Sequence, residues 1–151
     1  MKISAGILTF RKIAPQLEFF LVHPGGPFFA KKDAGVWTVP KGELLDGEEM
    51  LEAAIREFEE ETSIKITGDF HPLKEITQKG GKQVYCWAVQ FDFDASKVVS
   101  NTFEMEWPPR SGKKQIIAEI DKGEWFIYTQ AKIRINERQI PFLDEVIERF
   151  G

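Results

Sequence analysis

The chain has 151 residues, of which 42% are hydrophobic and 29% charged, and its formal net charge is -4. This length and composition predict one globular domain, residues 1–151, with a sizeable core. No apolar run approaches the roughly 18 to 20 residues of a membrane span, and the N-terminal stretch has no small-residue cleavage site, so we expect a cytoplasmic protein without a membrane partner. The negative charge argues against a long nucleic acid as partner, because such binding relies on many Lys and Arg contacts with phosphates. A small anionic ligand is compatible with it.

The first predicted elements are two strands. Residues 2–12 and 16–23 are rich in Ile, Leu, Phe and Val, and the turn-forming residues 13–15 between them predict a hairpin. A loop with two prolines and two glycines follows, and its Phe28 and Phe29 either contact a ligand or tuck into the edge of the core. Residues 37–40 read as a short strand that leads into Lys41 and Gly42.

A Glu-rich helix is predicted from about Gly47, with Asp46 as its N-cap. At about 100° per residue, one stripe of the helix can be buried; it consists of Leu51, Ala54, Ile55, Phe58 and Thr62. Three carboxylates, those of Glu57, Glu60 and Glu61, project together from another face, and Arg56 lies one turn from Glu60.

These three carboxylates repel one another and lie in the half of the helix where the dipole opposes negative charge. A hard divalent cation such as Mg²⁺ or Mn²⁺, which prefers carboxylate oxygens, would compensate for both effects. The alternative is a solvated acidic face without a ligand. That alternative predicts that Glu60→Gln stabilises the protein by relieving repulsion.

The second half of the chain has fewer sequence patterns that indicate secondary structure. Residues 65–78 alternate between apolar and polar, and residues 82–93 form the clearest strand, with Tyr85 and Trp87 on one face. That aromatic face either packs as a core layer against a helix or stacks on a nucleobase. Residues 94–122 show no sustained periodicity and predict a long loop, in which Arg110 either meets substrate phosphates or is solvated. A last strand over residues 124–128 and a helix over residues 135–150 complete the chain, the helix burying a stripe of Ile140, Leu143, Val146 and Ile147.

The acidic helix and the residues before it resemble the signature of the Nudix hydrolases. The matching positions are Gly42, Glu48, Arg56, Glu57, Phe58, Glu60, Glu61 and Ile64. One position departs from the signature, because Ser63 stands where the family has a second glycine, and this affects the end of the helix and not the ligands. The resemblance implies an α/β fold, the Nudix-type α/β/α sandwich with a mixed β-sheet between helices.

The resemblance also implies a site. Gly42 through its carbonyl, with Glu57, Glu60 and Glu61, would bind Mg²⁺ or Mn²⁺, and Arg56 would hold a Glu carboxylate by forked hydrogen bonds. Glu119 resembles the later acidic residue that completes the metal site or acts as base, with Glu104, Glu106 and Glu124 as competitors and Glu57 as another candidate base. The candidates for substrate contacts are Lys41, Tyr85, Trp87 and Arg110.

Nudix hydrolases cleave a nucleoside diphosphate linked to another moiety, so a small phosphorylated substrate is expected. The basic turn before the aromatic strand, KGGKQVYCW, is loosely similar to diadenosine polyphosphate hydrolases, which favours a dinucleoside polyphosphate or a nucleoside triphosphate. The ADP-ribose subgroup has a proline about 15 residues after the motif, where this chain has Lys79 and Gly80, which weakens ADP-ribose as a substrate. A diphosphoinositol phosphate stays open. A Nudix fold used as a non-catalytic nucleotide-binding regulatory module is the second class of function, although every charged motif position is kept.

Overall fold

The structure, a computed structural model, describes residues 2–151. A mixed seven-stranded sheet forms its centre. Its strands are β1 (Ile3–Ile13), β2 (Gln16–Pro24), β3 (Lys41–Glu43), β4 (His71–Pro72), β5 (Ile76–Thr77), β6 (Gln83–Gln90) and β9 (Ile120–Ile127). The strand order is β4-β6-β1-β2-β9, with β3 paired to β1 and β5 paired to β6. β1 runs parallel to β6 and antiparallel to β2 and β3. The predicted hairpin of the first two strands is confirmed.

Helices cover both faces of this sheet. Helix α1 (Met50–Thr62) packs on one face, where Ala53, Ala54 and Phe58 join a buried cluster with residues of β1 and β2. Helices α2 (Tyr128–Arg134) and α3 (Ile140–Phe150) pack on the other face against a second cluster. Two apolar layers therefore enclose a mixed sheet, and the predicted α/β/α sandwich is confirmed.

The buried stripes of the two predicted helices are largely as expected. On α1, Ala54, Phe58 and Thr62 are buried, while Leu51 and Ile55 are only partly buried. On α3, the stripe predicted from Ile140, Leu143, Val146 and Ile147 also includes the fully buried Phe142.

The prediction of a long loop over residues 94–122 is wrong. A 3₁₀ turn (Ala95–Lys97) is followed by a separate two-stranded sheet of β7 (Thr102–Glu106) and β8 (Lys114–Ala118). Most side chains of this hairpin are exposed, so it lacks the alternation of buried and exposed positions by which a strand is recognised in a sequence. Backbone hydrogen bonds hold these two strands together, and they lack the buried side chains by which a sequence indicates a strand.

Several other boundaries need correction. Residues 65–78 contribute only the short strands β4 and β5, and residues 37–40 make isolated bridges in place of a strand. The strand predicted at 124–128 begins at Ile120, and the helix predicted at 135–150 begins at Ile140, after a 3₁₀ turn (Glu137–Gln139) and the unpredicted α2. Asp46 is not the N-cap of α1, because Glu49 occupies that position without a side-chain cap.

Two smaller observations bear on the sequence predictions. Phe28 is 56% exposed and its ring lies 3.7 Å from the Lys32 ammonium, so it does not tuck into the core. Within residues 2–151, no helix combines the length and the apolar character needed to cross a membrane.

Candidate active site

The site is built where β3 meets α1. Gly42 pairs with Ala5 of β1, and the buried residues of α1 hold the helix against the same strand. A Cβ atom on Gly42 would lie 2.1 Å from Cδ of Glu57 and 2.2 to 2.4 Å from its two carboxylate oxygens. Only a residue without a side chain lets the Glu57 carboxylate approach the β3 backbone this closely.

Three carboxylates beside this contact lie close enough for their charges to interact: those of Glu57, Glu61 and Glu119. Glu61 is 4% exposed, and burial raises its pKa to about 9, with the charges of Glu57 and Glu119 acting in the same direction. Burial also raises the pKa of Glu57, to which Glu60 and Glu119 contribute, while Arg56 opposes the change. Burial and like charge therefore disfavour the ionised carboxylates of this cluster, and a bound proton or cation would be favourable there.

Arg56 holds the outer side of the cluster. Its Nε and Nη2 donate to the two carboxylate oxygens of Glu48 at 2.8 and 3.0 Å, in a fork. Its Nη1 donates to Glu57 at 2.9 Å and to Glu60 at 3.1 Å, and Nη2 also donates to the carbonyl of Glu43 at 3.1 Å. The pKa of Arg56 is raised above its ordinary value, chiefly by the hydrogen bond to Glu48. The forked contact expected of Arg56 is thus made with Glu48.

Glu60 differs from its two neighbours on the helix. Its side chain is 42% exposed and lies beside Arg56. The spacing of the three glutamates predicts that they converge as a group; the charges of Glu60 and Glu119 both act on Glu57, and Glu60 is more exposed than Glu57 or Glu61. The sheet buries one side of α1, and Glu60 lies just beyond that side.

Glu119 occupies the junction between β8 and β9. Its N–H donates to the carbonyl of Asn101 at 3.0 Å, and its own carbonyl accepts from the N–H of Gly25 at 2.8 Å. The three competing acidic residues have other surroundings in the described chain. Glu104 pairs with Lys114, Glu106 accepts backbone N–H groups at the hairpin tip, and Glu124 is exposed on β9.

Two of the candidate substrate residues lie near the carboxylates. Burial lowers the pKa of Lys41, and the nearby charge of Lys82 adds to this, while Glu61, Glu57 and Glu43 oppose it. Tyr85 is aligned with Gly42 across β1, because both residues pair with Ala5. It is half-buried, and its hydroxyl donates to Gln83 at 3.2 Å.

The other two candidates are placed differently. Trp87 packs against the apolar cluster beneath α1, which is the core-layer interpretation of the aromatic face. Arg110 lies at the tip of the β7–β8 hairpin, where its backbone N–H donates to Glu106 at 2.9 Å. The hairpin ladder extends from the pair Thr102 and Ala118 to the pair Glu106 and Lys114, four steps and roughly 13 Å further out. The structure does not bring Arg110 to the carboxylate cluster.

Sequence reasoning missed three residues around the site. Lys82 lies close enough to Lys41 to affect its pKa, and the basic turn before the aromatic strand was the available signal for it. Asn101 and Gly25 clamp the backbone of Glu119, and no local pattern marks either one. Their role depends on chain segments that meet only in the folded molecule.

The donor set fits a divalent cation by its chemistry. In residues 2–151, no three His, Cys, Asp or Glu side chains stand ready to hold a metal ion in their present arrangement. Yet burial and the charge of Glu119 oppose the ionisation of Glu57 and Glu61, beside a glycine backbone that any Cβ would block. Oxygen donors of this kind are those that Mg²⁺ and Mn²⁺ prefer, and Nudix hydrolases generally use divalent metal ions.

Comparisons with known proteins identify the family of the chain. A family model described as NUDIX domain matches residues 4–146. An RNA pyrophosphohydrolase of Brucella anthropi is 33% identical over 128 residues, which cover 75% of this chain and 66% of that protein. A bis(5′-nucleosyl)-tetraphosphatase (asymmetrical) of Caenorhabditis elegans is 39% identical over 95 residues, which cover 59% of this chain and 64% of that protein. Each match spans slightly less than two thirds of the relative's own length.

Solved structures share the fold. An Ap4A hydrolase binary complex of C. elegans superposes with a TM-score of 0.65 at 24% identity, covering 99% of this chain and 97% of the other. The NUDIX domain of Shewanella oneidensis NrtR complexed with ADP ribose superposes with a TM-score of 0.66 at 16% identity, covering 99% and 88%. The family model spans the sheet, the acidic helix and the Glu119 segment together, and on that ground the chain belongs to the Nudix family.

Proposed function

We propose that the chain is a single-domain, metal-dependent pyrophosphohydrolase. Its substrate would be a nucleoside diphosphate linked to another moiety, and the bond cleaved a phosphoanhydride. The observation that carries the proposal is the group of Glu57, Glu61 and Glu119, of which Glu61 is buried and Glu57 lies against the bare backbone of Gly42. A catalytic site for a highly charged anhydride needs such a concentration of oxygen donors, because divalent ions must neutralise the substrate.

The residues take distinct roles in this proposal. The carbonyl of Gly42 and the carboxylates of Glu57, Glu60 and Glu61 would hold Mg²⁺ or Mn²⁺, which supplies charge neutralisation and an acidified water. Arg56 orients Glu57 and Glu60 by hydrogen bonds, and Glu119 is the candidate base. Glu57 is less suited to that role, because one carboxylate does not readily serve as direct ligand and free base together.

The substrate class rests on the residues beside the cluster. Lys41 and Lys82 place positive charge where phosphates would extend from the acidic centre, and Tyr85 offers a half-buried ring in line with Gly42. A dinucleoside polyphosphate or a nucleoside triphosphate fits this combination, and the C. elegans relative is a tetraphosphatase of bis-nucleosyl substrates. The Brucella relative adds RNA with a 5′ phosphoanhydride to the substrates worth testing.

The test is a pyrophosphatase panel with Mg²⁺ and Mn²⁺ on the wild-type chain. It covers dinucleoside polyphosphates, nucleoside triphosphates, ADP-ribose, nucleotide sugars, diphosphoinositol phosphates and 5′-triphosphorylated RNA. We expect turnover that falls roughly a hundredfold or more in Glu57→Gln. Glu59→Gln, an exposed neighbour on the same helix, is the matched control and should keep wild-type rates.

A thermal-shift arm addresses the metal ions and Glu60. We expect Mn²⁺ to raise the melting temperature of the wild type, and Glu60→Gln to reduce that increase. If no substrate is turned over above the Glu57→Gln background, the hydrolase proposal fails; binding of a nucleotide without turnover would then favour the regulatory module. An unchanged Mn²⁺ shift in Glu60→Gln would remove Glu60 from the ligand set.

A further inference from the structure

We infer that Ser63 is a positioning residue for Glu119. It acts through the segment of residues 99–101, which it fastens to the end of α1. The inference rests on the proposed function for its catalytic consequence. Its structural content stands on the hydrogen bonds that connect the two residues.

Ser63 ends α1 in the left-handed conformation, with φ of 63°. Its N–H donates to the carbonyl of Glu59 at 2.7 Å, as in a helix that terminates with glycine. A side chain is disfavoured at this backbone conformation. The Ser63 hydroxyl makes a contact that glycine lacks, because its Oγ donates to the carbonyl of Val99 at 2.5 Å.

The segment 99–101 is docked onto the last turn of α1. The N–H of Val99 donates to the carbonyl of Thr62 at 3.0 Å, and the N–H of Asn101 donates to the carbonyl of Glu60 at 2.9 Å. Carbonyls in the last turn of a helix have no partner within the helix, so this segment satisfies them. The Ser63 hydroxyl adds a third bond, from a side chain, to the same docking.

The docked segment in turn sets the backbone of Glu119. Asn101 accepts the N–H of Glu119 through its carbonyl, and the Ser100 hydroxyl accepts the N–H of Ile120 at 3.0 Å. On the opposite side, the N–H of Gly25 donates to the carbonyl of Glu119, and a Cβ on Gly25 would lie 2.0 Å from the carbonyl oxygen of Ala118. The backbone of Glu119 is thus held between Gly25, which follows β2, and the segment 99–101, which is hydrogen-bonded to the last turn of α1.

This connection separates two effects of Ser63. Replacement by glycine relieves the left-handed backbone but removes the bond to Val99, whereas replacement by alanine removes the same bond and keeps the backbone cost. The melting temperature should therefore be higher in Ser63→Gly than in Ser63→Ala. If Ser63 positions Glu119, both variants should loosen the Glu119 segment alike.

Amide hydrogen exchange tests the placement directly. We compare Ser63→Gly, Ser63→Ala and the wild type at the amides of Val99, Asn101 and Glu119, with Ser96→Gly as the control serine-to-glycine change. We expect exchange at these amides to be roughly three- to tenfold faster in both Ser63 variants, which corresponds to the loss of one hydrogen bond. The control variant should show no change in these exchange rates. Exchange that follows the melting temperature, clearly faster in Ser63→Ala than in Ser63→Gly, would overturn the inference.

A double-mutant cycle tests the consequence for the site. We expect Ser63→Gly to lower kcat roughly three- to tenfold in the wild-type background and to have no further effect in Glu119→Gln. An undiminished effect in the Glu119→Gln background would show that Ser63 acts by another route. If the wild type turns over no substrate, the proposed function fails, while the exchange measurement still decides the role of Ser63.

Discussion

Glu61 shows how strongly the fold opposes one charge at this site. It is 4% exposed, and burial, followed by the charges of Glu57 and Glu119, raises its pKa to about 9. An unfolded glutamate titrates near pH 4.3, so the native state keeps the proton over a range where the unfolded state has lost it. The metal-free protein therefore has the full stability of this group below about pH 4 and loses it progressively as the pH rises towards about 9.

Glu61→Gln should remove this pH dependence, because glutamine is close in shape to the protonated acid and carries no charge. Without metal ions, we expect the variant to be more stable than the wild type by roughly 1 to 4 kcal/mol at pH 8 and nearly equal to it at pH 4. Urea unfolding in EDTA at the two pH values measures the difference. Glu59→Gln is the control on the same helix, and a pH-independent difference for Glu61→Gln would contradict the assignment.

Metal ions should reverse the sign of the stability difference between Glu61→Gln and the wild type. Mn²⁺ at pH 8 should stabilise the wild type more than Glu61→Gln, since a cation offsets the charge that burial opposes. Equal stabilisation of both proteins would mean that Glu61 is a buried acid with no part in metal binding.

At the scale of elements, Arg56 connects three pieces of chain by hydrogen bonds. It reaches β3 through the carbonyl of Glu43, the linker before the helix through Glu48, and α1 through Glu57 and Glu60. The planar guanidinium meets these acceptors with several donors at fixed angles. A single ammonium group does not reproduce that pattern.

Arg56→Lys should therefore lower kcat/KM by roughly ten- to a hundredfold, the range found when a group that orients metal ligands is lost. The fold should persist, as judged by circular dichroism. Arg149→Lys is the matched control, because Arg149 on α3 also forms an i,i+4 pair and a bond to a backbone carbonyl, away from the site. Equal losses in both variants would indicate a general effect on stability.

At the scale of the whole molecule, Gln139 joins the α3 side of the sandwich to the chain that enters the site. It is fully buried, and its amide donates to the Thr38 hydroxyl at 2.8 Å and to Gln78 at 2.9 Å. Its carbonyl oxygen accepts the N–H of Val39 at 3.0 Å. Val39 lies two residues before β3, so this network supports the approach of the chain to Gly42 from the opposite face of the sheet.

Gln139→Ala should leave the N–H of Val39 unsatisfied in the interior and cost about 1 to 3 kcal/mol of stability. The midpoint of urea unfolding measures this, with the exposed Gln130→Ala on α2 as the control. A change no larger than that of Gln130→Ala would show that water replaces the amide without cost.

The sequence by itself determined the features whose geometry is local. Helical spacing predicted the buried stripe of α1 and a common face for Glu57, Glu60 and Glu61, and the pairing of Arg56 with Glu60 followed from their spacing of one turn. Gly42 came from the signature, and the order of strands and helices was sufficient for the sandwich. Each of these depends on residues within a few turns of one another or on the amphipathic character of whole elements.

Only the tertiary structure decided how distant segments complete the site. Glu119 was one of four acidic candidates in the sequence, and the role that we propose for it depends on the hydrogen bonds by which Asn101 and Gly25 hold its backbone. Ser63 departs from the signature, and its hydrogen-bond partner, the carbonyl of Val99, is recognisable only in the folded structure. The exposed β7–β8 hairpin and the outer position of Glu60 were equally beyond prediction, because they depend on packing and backbone pairing between segments that no local pattern connects.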